Sequence, residues 1–166
     1  MGSKTRWLVE VHTREVRTTI QKSFYRNGQL CEKLPLRNSQ RHGGVRIWHG
    51  NGLLASEESY ANGFLHGLCR QWSEAGRLLG KFKMVHGTGV QRVWHDNGRP
   101  QMEISSVCGE FRGRSRSCLS DGTLLLDDTY LRGKLVGTKK YRAGHDGQSV
   151  AEACQGGRVR LRRSST

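Results

Sequence analysis

Short runs of alternating apolar and polar residues, each closed by a glycine turn, fill most of this chain, and the runs keep phase. The phase marker is a dipeptide: Asn27-Gly28, Asn51-Gly52, Ala75-Gly76, Asn97-Gly98, Asp121-Gly122 and Asp146-Gly147, whose glycines follow one another at 24, 24, 22, 24 and 25 residues. Four places before these glycines stand Phe24, Trp48, Trp72 and Trp94, then Cys118. Two places after them stand Leu30, Leu54, Leu78, Pro100 and Leu124, and eight places after them Leu36, Tyr60, Met84, Ser106 and Tyr130. Runs of about seven to ten residues have strand length and are short for helices. A strand presents alternate residues on one face, so fixed phases become ladders of like side chains across a sheet.

Each period carries a second turn. Eleven places after the marker glycine come Ser39, Gly63, Gly87, Gly109 and Gly133, and fifteen after come Gly43, Gly67, Gly113 and Gly137. The 22-residue unit has Gly89 instead and is two residues shorter in this loop. The Asn-Gly and Asp-Gly pairs predict tight type I′ hairpin turns with positive φ at both residues. The second turn reads as a wider glycine-bounded loop, as in Asn62 to Gly67. Self-similarity at one period predicts a linear array. The expected fold is all-β: an elongated antiparallel β-meander of five to six β-hairpin repeats of 22–25 residues, occupying residues 22–147. Residues 1–21, with the alternating stretch Arg6 to His12, read as an N-terminal capping or edge strand. Residues 148–166 form a basic C-terminal segment. There Val159 and Leu161 alternate with arginines as in a strand, while chain ends fray unless tied down; the tail reading is favoured and both stay open.

These phases resemble the MORN-repeat variant, the class found in YwqK-family antitoxins of toxin–antitoxin systems. The second unit carries the pattern best, from Trp48 through Asn51-Gly52 and Leu54 to Tyr60, Asn62-Gly63 and His66-Gly67. The resemblance covers about residues 22 to 147, with departures at Ser39, Ser106, Cys118 and the out-of-phase Tyr141. It implies a hairpin array used for protein contact or scaffolding.

Composition narrows the partners. With 28 Lys+Arg against 14 Asp+Glu the net charge is +14, which favours anionic partners: nucleic acid, a phospholipid surface or an acidic protein face. An antitoxin of this charge cannot mimic nucleic acid against a basic toxin, so a cognate toxin would offer an acidic or apolar face. The five cysteines are scattered, with no C-x-x-C pair, and the N-terminus has no apolar h-region. Reduced thiols and a cytoplasmic location are the expectation. No purely apolar run exceeds three residues, as at Leu124 to Leu126, which is too short for a transmembrane segment. No G-x-S-x-G, H-E-x-x-H, Walker or G-x-G-x-x-G motif is present, so the chain is expected to be no enzyme and to use no cofactor.

One basic column is as regular as the aromatic one. Six places before the marker glycine stand Lys22, Arg46, Arg70, Arg92 and Arg116. With the aromatics they suggest a partner-binding stripe of Arg46, Trp48, Arg70, Trp72, Arg92 and Trp94. Across a type I′ turn the same column would face the residues five places after the glycine. That pairs Arg46 with Glu57, Arg92 with Glu103 and Arg116 with Asp127, but also Lys22 with Lys33 and Arg70 with Lys81. Complementary pairs in three of five favour structural pairing. The remainder, Lys22, Lys33, Arg70 and Lys81, would need an outside anion. Together with Arg158, Arg160, Arg162 and Arg163 they form the anion-binding candidates. His42 and His66 share one phase and His49 and His95 another, but adjacent periods lie about 10 Å apart, too far for one metal ion.

Overall fold

The computed structural model describes residues 6–13 and 16–141, with side chains from residue 17; the segment 148–166 lies outside them. The described chain is all-β, fourteen antiparallel strands without a helix. Nine form one sheet: β1 (Arg6–Thr13), β2 (Val16–Phe24), β3 (Leu30–Arg37), β4 (Gln40–Arg41), β5 (Gly43–Trp48), β6 (Leu54–Ala61), β7 (Phe64–Leu65), β8 (Gly67–Trp72) and β9 (Leu78–Met84). Five form the other: β10 (Gly89–Trp94), β11 (Pro100–Val107), β12 (Glu110–Cys118), β13 (Leu124–Leu131) and β14 (Lys134–Lys140). Both are meanders in chain order, with β4 and β7 as two-residue extensions paired to β3 and β6. The leading strand β2 of the first repeat starts at Val16, six residues before the expected boundary at residue 22.

The two kinds of turn are exchanged relative to the sequence reading. At Asn27-Gly28 only the glycine has positive φ, +82°. Tyr25 donates its N–H to the Gln29 carbonyl at 2.8 Å and Gly28 donates to the Tyr25 carbonyl at 3.0 Å, which closes a three-residue loop. The register then shifts between Ser23 and Phe24, so Phe24 faces Leu30 and Ser23 faces Glu32, with Cys31 as the extra residue. Because only the glycine is left-handed, Ala75 is tolerated where the other units have Asn or Asp. The type I′ turn is the second one. Asn38-Ser39, Asn62-Gly63, His86-Gly87, Cys108-Gly109 and Arg132-Gly133 have positive φ at both residues. The flanking pairs Arg37↔Gln40, Ala61↔Phe64, Val107↔Glu110 and Leu131↔Lys134 leave two-residue loops.

The short unit breaks the sheet. In the first, second and fourth units three residues separate the type I′ turn from the next left-handed glycine, which in the first two lets β4 or β7 pair. In the 22-residue unit only Thr88 stands there. The single bridge Val85↔Thr88 is followed at once by Gly89, φ +146°, and β9 and β10 share no ladder. A side chain replaces the missing backbone pair: Gln71 donates from Nε2 to the Trp94 carbonyl and accepts the Trp94 N–H, both at 3.1 Å. The Trp94 indole lies against Gly80, with the Phe82 ring centroid 6.3 Å away.

Leu34, Val45, Cys69 and Met84 are buried on one face of the nine-stranded sheet, and Ile104 is buried in the five-stranded sheet. Full burial of a side chain such as Met84 contributes about 1.5–3 kcal/mol. Ser106 stands where the repeat has Tyr60 and Tyr130; it too is buried, donating from Oγ to the Gly87 carbonyl at 2.9 Å. Cys31, Cys69 and Cys108 are free thiols, whereas Cys118 is disulfide-bonded, a departure from the all-thiol expectation.

Candidate partner-binding surface

On the face opposite Leu34 and Cys69 the ladders line up one charged row. Lys22 pairs with Lys33, Lys33 with Arg46, Arg46 with Glu57, Glu57 with Arg70, and Arg70 with Lys81. Five cations and one carboxylate thus span six strands, a row roughly 24 Å long at the usual strand spacing. The second sheet continues it as Arg92, Glu103, Arg116, Asp127 and Lys139. All five pairings expected between the columns six before and five after are formed. The bulge at Cys31 and its equivalents restores the count that a three-residue loop would otherwise offset.

The ion pairs within the row follow neighbouring strands as well as hairpins. Glu57 lies between two arginines: Arg46 reaches its Oε1 at 2.8 Å and Arg70 its Oε2 at 2.9 Å. Arg70 is therefore paired, which corrects its place among the cations awaiting an anion. Arg92 holds Glu103 at 2.6 Å. Arg114, not read from the sequence as a partner, holds the buried Asp127 through Nε at 3.0 Å and through Nη2. Two-residue alternation from Arg116 was the available signal for Arg114. Lys22, Lys33 and Lys81 make no ion pair with a described residue. Arg158, Arg160, Arg162 and Arg163 lie outside the described residues.

The aromatic stripe divides. Trp94 is 9% exposed and occupied by Gly80 and Phe82, while Trp48 and Trp72 are half-buried. Their backbone carbonyls anchor the preceding unit: Tyr25 donates its hydroxyl to the Trp48 carbonyl at 2.7 Å, and His49 donates from Nε2 to the Trp72 carbonyl at 3.0 Å. His95 does the same to the Cys118 carbonyl at 2.8 Å. His42 and His66 accept at Nδ1 the N–H of Asn62 (3.4 Å) and His86 (3.2 Å). All four histidines thus stitch one repeat to the next, and no cluster of three metal-ligating side chains occurs among the described residues.

The two long edges differ in character. On the asparagine-turn edge, Asn51 and Asn97 each accept the N–H two residues on (3.0 and 2.9 Å) and donate to the next turn's carbonyl at Glu74 (2.7 Å) and Ser120 (2.6 Å). On the other edge the type I′ turns stack, with Gly87 donating to the Leu65 carbonyl (2.8 Å), Gly109 to Gly87 (3.0 Å) and Gly133 to Phe111 (2.9 Å). That edge runs unbroken past the sheet interruption. It carries Phe64, Val85, Val107, Phe111, Leu131 and Leu135, 40–54% exposed. Beside it Tyr60 donates to Glu58 at 2.8 Å and accepts from Arg41 at 3.1 Å; burial and then the Glu58 carboxylate push its hydroxyl pKa up to about 12.

Two open clefts lie over the units, about 300 Å³ beside His49, Cys69, Gln71 and Phe82, and about 350 Å³ beside His95, Met102, Cys118 and Leu125. No described helix is long and apolar enough to cross a membrane.

Residues 17–38 match the family model of the MORN repeat variant. The matched stretch is one structural unit: β2, the three-residue Asn-Gly turn, β3 and the first residue of the type I′ turn. Strand–turn–strand units of the same build follow one another through β14, so the chain is a repeat module. No curated protein matches the chain.

Proposed function

We propose that this chain is a non-enzymatic repeat module that binds another protein. The supporting observation is the file of apolar side chains along the type I′ edge. Single exposed apolar residues are ordinary on a protein surface, but a continuous file of them costs solubility unless a partner covers it. The asparagine-turn edge, with its side chains hydrogen-bonded from unit to unit, is the framework and the opposite edge the reading surface. The surrounding charge of +14 selects a partner with an acidic or apolar face. An antitoxin-like role, in which the partner is a cognate toxin of that kind, fits this surface. Histidines engaged with backbone groups and shallow, open clefts support reading the chain as no enzyme.

The test is a photo-crosslinking residue placed at Val107 or Leu131 in the full chain, with co-expression of the neighbouring open reading frame as the candidate partner. Adducts from both positions are expected, each lost when Val85→Asp and Phe111→Asp are added to the same crosslinker-bearing chain with unchanged circular dichroism. Partners that are uniformly strongly basic, or adducts indifferent to the two substitutions, would overturn the reading.

A second reading rests on a different observation, the run Lys22, Lys33 and Arg46. Like charges directly opposite one another are destabilising, and an outside anion relieves the repulsion. This row, with the basic segment 148–166, suits a phospholipid surface or nucleic acid. Such binding weakens log-linearly with salt and is lost in Lys22→Glu/Lys33→Glu, whereas contact through the apolar edge barely responds to salt. Sedimentation with phosphatidylserine vesicles and titration with single-stranded RNA separate the two sources.

A further inference from the structure

We propose that the outer edge of β14 receives an extended, acidic segment of another protein as an added strand; the inference rests on the protein-binding reading above and names where the partner docks. Strand β14 pairs with β13 on one side, and among the described residues no strand pairs with its other side. All seven of its residues are exposed, Leu135 at 54% and Val136 at 60%. Such an edge offers a row of unpaired N–H and C=O groups, the template for strand addition. The type I′ edge ends here too, so Leu131 and Phe111, with Tyr130 packed edge-on against Phe111 at 5.6 Å, extend the apolar surface beside the free strand.

Charge identifies the occupant. Lys134, Lys139 and Lys140 stand on the strand and Arg132 in the turn that leads into it, all exposed. The carboxylate facing Lys139 in the ladder, Asp127, is buried and held by Arg114. A second copy docking on this edge would bring together two strands that each carry three lysines and no carboxylate. The chain's own C-terminal segment, with Arg158, Arg160, Arg162 and Arg163, bears the same sign. An extended segment alternating acidic and apolar residues satisfies both features: its backbone pairs the free edge, its apolar side chains lie on the Leu135 face, and its carboxylates meet Lys134 and Lys139 on the other face. Lysines on a free edge also deter indiscriminate pairing, and that same device is selective for carboxylate-bearing strands.

The experiment uses the full chain and a synthetic fluorescent peptide of alternating Glu and Val, read by anisotropy and by amide hydrogen exchange. The expected result is binding with slowed exchange confined to residues 134–140. A Lys/Val peptide of the same length should not bind. The Glu/Val peptide N-methylated at every second residue along one edge should lose at least tenfold in affinity, and so should binding of the original peptide to Val136→Glu. Protection elsewhere, equal binding of the Lys/Val peptide, indifference to N-methylation, or self-association that protects 134–140 would each overturn the proposal. Failure here is distinguishable from failure of the broader reading: a partner crosslinked at Val107 and Leu131 that leaves 134–140 unprotected overturns the edge assignment alone.

Discussion

The Trp94 indole rests directly on the α-carbon of Gly80: a Cβ built there would stand 2.1 Å from Cε2 and 2.3 Å from Cζ2 of the ring. Trp94 belongs to the five-stranded sheet and Gly80 to the nine-stranded one, so this contact closes the gap left by the two missing residues of the short unit. The ring is rigid and buried, and cannot yield as a flexible chain end would. Gly80→Ala is therefore expected to cost about 1–3 kcal/mol in urea unfolding. Gly44→Ala, at a strand glycine with nothing within 4 Å of the built Cβ, is the control and is expected to be neutral or slightly stabilising. Equal effects of the two would contradict the packing account.

Glu57 serves two arginines on different strands, so its loss should be felt at both. Glu57→Gln is expected to destabilise by about 0.5–2 kcal/mol, the sum of two partly exposed pairs at about 0.2–1 kcal/mol each. Double-mutant cycles with Arg46→Gln and Arg70→Gln should each give a coupling that shrinks as salt is raised. Coupling to Arg46 alone would mean that the hairpin pair is the only one formed in solution.

Tyr60 supplies a pH test with a defined sign. Its folded value of about 12 lies above the ordinary 10 because burial and Glu58 disfavour the phenolate. The corresponding stability is fully present below pH 10 and is lost as the pH rises from 10 to about 12. Ultraviolet titration should find Tyr60 ionising late, beside Tyr25, whose hydroxyl is also raised by its hydrogen bond with Cys31, and Glu58→Gln should bring Tyr60 alone earlier. An ordinary value in the folded chain would remove the burial argument.

Ser39 occupies the second place of a type I′ turn with φ 64°, where the other four units have glycine. A left-handed residue with a Cβ is strained by about 1–2 kcal/mol. Ser39→Gly is expected to recover about 1 kcal/mol, a melting shift of about 2–4 °C for a chain of this size. A fall in melting temperature would show that the hydroxyl contributes more than the strain costs.

Much of the architecture was legible in the residues themselves. The period and the pairing of Arg46 with Glu57 follow from spacing along the chain, because each lies within one hairpin and a hairpin is a local object. The turn assignment was not legible: Asn-Gly suits both a type I′ turn and a three-residue loop with a left-handed glycine, and the bulge that distinguishes them preserves the outer register. Of the proposed surface residues, Trp94 read as part of a stripe only because alternation says nothing of what lies across a sheet break.

By itself the sequence determined that this protein is an antiparallel meander with one charged row, since local spacing sets which residues share a face. Tertiary structure alone decided where the meander is interrupted, which carboxylate serves which arginine, and which edge carries the apolar file. Those outcomes depend on contacts between units that are not adjacent within a hairpin, and a period records only that the units repeat, not how firmly each is joined to the next.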